Sequence, residues 1–219
     1  MNVCMQVPPF FRPITPGLSA EEARAETLAR IGEQLADLDA GYVDQLVVDY
    51  QKASEALAAA GVFYAATCLG RINNEPSAGT LIIGLQPLSY ADSDAAAVGI
   101  HEIMLGKRGR RALVSTRDLP CGKAVIVIDQ SPSLRIPAEL TVHGEDIPID
   151  VAQLQAFIPV SQQAVPGAQE MLVLTFSTPS TDHWAEYSEV VVDALRSLRF
   201  TPDEESAQQP TSPTEPVRV

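Results

Sequence analysis

Cys121 stands on a turn and is followed by Gly122 and Lys123. A cation beside a thiol favours the thiolate, which is the nucleophilic form, so cysteine chemistry could start here. That chemistry also needs a base. His101, His143 or His183 would have to come within hydrogen-bond reach, and no spacing in the chain puts one there. The plainer reading is a small turn residue ahead of a strand. No G-x-S-x-G elbow offers a serine in its place. The three histidines are isolated, without an H-E-x-x-H or H-x-H pair. Asp182-His183 reads as a capping carboxylate beside an exposed ring. His143-Gly144-Glu145-Asp146 is an acidic loop that could collect a cation, but it lacks the alternating carboxylates of a calcium loop. The sequence implies neither a metal nor a cofactor.

The sharpest charge feature is Gly106-Lys107-Arg108-Gly109-Arg110-Arg111, which holds four of the chain's fifteen basic residues. It lacks the strand-to-helix setting of a phosphate loop. Two readings stay open. Its cations complement the negative end of the helix that precedes them, or they form a docking patch for an acidic partner or for the protein's own acidic surface. The net charge of −13 opposes binding to nucleic acid and to an anionic membrane. The longest apolar runs, such as Leu81 to Leu85 and Ala124 to Ile128, are strand-sized and too short to cross a bilayer.

Cys4, Cys68 and Cys121 are far apart and odd in number, which argues against a disulfide framework or a zinc site and suits a reducing cytoplasm. The opening MNVCMQVPPFFRP has neither a basic nor an apolar leader region, so no signal peptide is expected.

These residues need a scaffold. Residues 1–18 are extended and proline-rich, with Val7, Phe10, Phe11 and Ile14 to pack on the body. Ser19-Ala-Glu-Glu22 is a capping box opening a helix with Leu28, Ile31, Leu35 and Leu38 on one stripe. Val43, Leu46, Val47, Tyr50, Ala53, Ser54 and Leu57 form a second stripe that ends at Gly61. This helical hairpin, 19–60, either packs on a sheet or projects. Val62 to Leu69 and Thr80 to Leu88 read as a β-hairpin around Asn73-Asn74-Glu75-Pro76. A helix follows over 92–107, with Ala95, Val98, Ile103 and Met104 turned inward. Strands are expected at 111–117, 123–129, 136–142, 149–160 and 171–177. Thr181 or Asp182 then caps a final helix whose inner face is Tyr187, Val190, Val191, Ala194, Leu195 and Leu198. Trp184, Tyr187 and Phe176 would anchor that helix. Residues 201–219 hold little to bury and should be disordered. Short turns between consecutive strands imply a largely antiparallel sheet.

The pattern Phe176-Ser-Thr178-Pro179, Trp184, Tyr187 and a helix ending Ser197-Leu198-x-Phe200 resembles the PsbP-like superfamily over Val62 to Phe200. Its members include an extrinsic photosystem subunit, a Ran-binding nuclear-import factor and bacterial envelope and secretion-chaperone proteins. The turn Leu119-Pro120-Cys121-Gly122 is similar to actinobacterial members of unknown role. The hairpin 19–60 departs from the shortest members. The resemblance implies a three-layer α/β/α sandwich that acts by binding, with no catalytic motif to carry over. The reading is then an α+β domain over 19–200: a non-enzymatic cytoplasmic adaptor, chaperone or assembly factor with a protein partner, open to homo-oligomerisation. The alternatives are an enzyme centred on Cys121 and a small-ligand carrier.

Overall fold

Largely apolar strands joined by tight turns build most of this molecule. The computed structural model describes residues 1–31, 40–130, 133–136, 138 and 145–202. Strands β1 (Asn2–Cys4) and β2 (Arg12–Ile14) open the chain. They are followed by helices α1 (Ala20–Ile31) and α2 (Ala40–Ala59) and the hairpin β3 (Val62–Ile72) and β4 (Glu75–Pro87). Helix α3 (Ser93–Arg108) leads into β5 (Ala112–Leu119) and β6 (Gly122–Asp129). Then come β7 (Ser133–Ile136), β8 (Ile147–Asp150), β9 (Ala152–Pro159), β10 (Glu170–Thr178), α4 (Trp184–Ser197) and β11 (Arg199–Thr201).

Seven strands form the main sheet in the order β2-β3-β4-β10-β9-β6-β5, every neighbouring pair antiparallel. The strand period of two sends alternate side chains to opposite faces. One set, including Leu81, Ile83, Leu154, Ile158, Leu172, Leu174 and Phe176, meets Tyr187, Val191, Ala194, Leu195 and Leu198 of α4 in the larger core. The other set, including Val125, Val127 and Phe157, meets Ala97 and Ile100 of α3. Helix α2 packs on β3, and the fold is an α+β sandwich with helices on both faces.

The capping box at Ser19 forms as expected: Ser19 N–H donates to Glu22 Oε2 and Glu22 N–H to Ser19 Oγ. The helical hairpin packs down. Ser54 Oγ donates to Thr15 O at 2.7 Å and accepts from Leu18 N–H at 2.8 Å. Val43 and Val47 are buried, whereas Ala53 is exposed. Leu35 and Leu38 lie outside the described residues.

Several expectations need correction. The first eighteen residues contribute two strands: β2 extends the main sheet, and β1 pairs with β11 through Val3 and Phe200. Pairing therefore continues through Thr201; residues 203–219 lie outside the described set. The strand expected over 149–160 is two, because β8 pairs with β7 while β9 joins the main sheet. Of the strand expected at 136–142, Ile136 is strand, at the end of β7, Ala138 is not, and the rest lies outside the described residues. In α3 the buried positions are Ala97 and Ile100; Val98 and Ile103 are exposed and Ala95 is too. The cause is phase. Positions 97, 100 and 104 share the inner face at helical spacing, with Met104 packed inward as expected.

Candidate functional site

The β3–β4 hairpin is longer than its apolar runs suggested. Asn73 and Asn74 carry φ of 50° and 67°, the left-handed pair that a two-residue type I′ turn requires. The ladder therefore runs on to Ile72 opposite Glu75, with Gly70 opposite Ser77 and Cys68 opposite Gly79. On the outer side, β2 pairs with β3 at Ala65, Ala66 and Thr67 and no further. Among the described residues no strand covers the outer edge of β3 from Cys68 to Ile72.

Beside that edge lies a groove of about 400 Å³ between β3 and α4. Tyr187 and Val190 form its helical wall, Cys68 and Ser77 lie at its sheet wall, and Phe10 and Ile72 add apolar surface. Phe10 is 50% exposed and Leu69 80%, the latter on the opposite pleat from Cys68. Glu186 contributes a carboxylate to the rim.

A buried hydrogen-bond chain backs the groove. Tyr187 Oη lies 2.8 Å from Ser77 Oγ, and Ser77 Oγ lies 3.0 Å from His183 Nδ1. The Cys68 thiol donates to Tyr187 Oη at 3.5 Å, and His183 Nε2 faces Glu75 Oε2 at 3.9 Å. With the ring proton on Nε2, His183 accepts from Ser77, and Ser77 accepts from Tyr187. A serine against a histidine is the contact from which a nucleophile is built. Here the hydroxyl is held from both sides and Ser77 is 6% exposed, so it fastens α4 to β4. Burial pushes the Tyr187 phenol up from 10.0 to about 12 and raises the Cys68 thiol as well.

Phe176 is the hub beneath this chain. Its ring lies 5.1 Å from Tyr187, 6.4 Å from Trp184 and 6.3 Å, edge-on, from Phe11. Phe176 is fully buried, Tyr187 nearly so, and Trp184 half-buried at the margin of the core. Gly79 is required below it: a Cβ there would sit 2.8 Å from the Phe176 ring. The S-T-P-S turn is laced to β4, with Thr178 Oγ1 donating to Ala78 O and Ala78 N–H donating to Ser180 Oγ. Ser197 accepts from Gln6 N–H at 2.8 Å, which ties the end of α4 to the first residues of the chain.

His183 was expected to be exposed beside a capping Asp182. It is 5% exposed, and Thr181–His183 form a short 3-10 turn with no side-chain cap on α4. Ser77, remote in sequence, supplies the partner that makes burial of the ring affordable.

The other sequence candidates lie elsewhere. Cys121 is 6% exposed in the core, and burial pushes its thiol up, the reverse of activation. Lys123 Nζ is engaged by Asp118 at 2.7 Å and Asp94 at 3.9 Å. His101 Nδ1 contacts Thr116 Oγ1 at 3.1 Å. In the basic turn, Lys107 and Arg111 are exposed, but Arg108 folds back to Asp129 at 3.7 Å and donates to Gln155 Oε1 at 3.1 Å. Nothing is described of the Arg110 side chain. In the loop 143–146, Asp146 accepts from Ala138 N–H and faces Arg135, while His143 lies outside the described residues. Among the described residues no three His, Cys, Asp or Glu side chains converge to hold a metal, and no helix is long and apolar enough to cross a membrane.

Compared with protein-family models, curated proteins and solved structures, the chain matches none.

Proposed function

We propose that this chain is a protein-binding module, a cytoplasmic adaptor, chaperone or assembly factor, whose partner seats an apolar side chain in the groove between β3 and α4. The observation that carries this reading is the open apolar groove itself, with Phe10 half exposed at its end while the core beside it is sealed. Solvent-facing apolar surface rimmed by charge marks interaction sites. The pattern shared with the PsbP-like superfamily points the same way, toward a sandwich that works by binding. The acidic surface suits a basic partner over nucleic acid.

The test is a pull-down at physiological salt with the wild-type chain and Val190→Glu, which puts a charge on the groove wall. A partner recovered by the wild type and lost by a folded variant supports the reading. Recovery of the same partner by both overturns it. The second reading is a small apolar ligand carried in the same groove, favoured by a volume within the usual range for such sites, roughly 300–1,000 Å³. Native mass spectrometry checks it: a co-purified small mass, absent from Val190→Glu, would replace the adaptor by a carrier.

A further inference from the structure

The geometry points to a mode of recognition: the partner adds an extended strand to the outer edge of β3, antiparallel to it and end to end with β2. This rests on the protein-binding reading above and says how that binding is done.

The chain already uses this edge for strand addition. β2 pairs with Ala65–Thr67, and Phe11 N–H then bonds to Pro8 O, a turn that carries the preceding residues away from the ladder. From Cys68 to Ile72 no described strand continues the pairing. An edge left open this way is a template for a further strand, with main-chain hydrogen bonds giving affinity and alternate side-chain pockets giving specificity. The stretch is five residues, about 17 Å at a strand rise near 3.4 Å.

The side-chain period then specifies the occupant. Cys68, Gly70 and Ile72 share the α4 face with Tyr64 and Ala66; Leu69 and Arg71 lie on the alternate pleat and also border the groove. An added strand would therefore send one set of side chains into the groove against Tyr187 and Val190, and the alternate set against Leu69. Gly70 helps, since no atom lies within 4 Å of where its Cβ would be. The carboxylates on the groove side are Glu186 at the rim and Glu75 at the end of the hairpin, which is 72% exposed at its side chain. The cation on the strand, Arg71, donates its Nε–H to Asn74 O across the turn. The occupant is an extended peptide segment with a large apolar residue facing the groove and Lys or Arg flanking it.

The experiment selects a random peptide library, displayed on phage, against the immobilised full chain at physiological salt. Enriched peptides should carry a large apolar residue with Lys or Arg two positions away, on the same face of the strand. Synthesised copies methylated at alternate backbone nitrogens should lose binding for one of the two registers and keep it for the other. Leu69→Lys and Glu186→Lys, both surface changes, should weaken binding several-fold without lowering the melting temperature. No enrichment, or binding indifferent to backbone methylation in both registers, overturns strand addition. If methylation is without effect but Val190→Glu still abolishes capture of the partner, the groove reading survives and strand addition alone fails.

Discussion

The basic turn at 107–111 and the groove beside β3 are opposites. The turn is conspicuous in the sequence and modest in space: Arg108 is spent on Asp129 and Gln155, and the turn's cations sit where the carbonyl end of α3 favours them. The groove is silent in the sequence and distinct in space, assembled from Phe10, the Cys68–Ile72 edge and α4. Charge clusters advertise themselves because they are local. A concave surface needs residues far apart in the chain, so composition does not announce it.

The contrast can be broken from the groove side first. Phe176→Ala empties the hub on which Phe11, Trp184 and Tyr187 rest. It should cost about 3–5 kcal/mol in urea unfolding. A cost below that of an ordinary surface change would show that α4 is held elsewhere.

Tyr187→Phe keeps the ring and removes the hydroxyl that Ser77 and Cys68 both meet. A loss of about 1–2 kcal/mol is expected. The same variant carries a pH signature. The folded phenol titrates near 12, above its ordinary 10.0, so the neutral form is favoured by folding. Its contribution is fully present below about pH 10 and is lost as pH rises through about 12. Tyr187→Phe should remove part of the alkaline fall in melting temperature; Tyr50, also raised to about 12, keeps its own part.

On the basic side, Arg108→Ala should cost about 1 kcal/mol, because it uncovers the nearly buried Asp129. Lys107→Ala and Arg111→Ala should each stay within about 0.5 kcal/mol. Equal effects from all three would mean that Arg108 is not the inward member.

The smallest expected effect is chemical. Cys121 should alkylate more slowly than a cysteine peptide at neutral pH, since its thiol is buried and raised. A faster reaction would return a nucleophile to this turn.

Much of the fold is legible in local pattern. The inner face of α4 follows from helical spacing of Tyr187, Val191, Leu195 and Leu198, and the antiparallel sheet follows from short turns such as Pro120-Cys121. The phase of α3 is not legible by hydrophobicity, because its buried stripe begins with alanine and its exposed face carries Val98 and Ile103. The groove is less legible still. Asn73-Asn74 holds a usable clue: both residues tolerate positive φ, which predicts a hairpin extended to Ile72. Nothing local predicts that Phe10 closes its end, or that Ser77 waits for His183.

The pairing of β1 with β11 has a consequence for biosynthesis. Val3 meets Phe200, so β1 finds its neighbour only after nearly two hundred further residues have left the ribosome. At about 5–20 residues per second that interval is on the order of 10–40 s. During it Val3 and Met5 have no Phe200 to rest on, and the nascent chain carries uncovered apolar surface there.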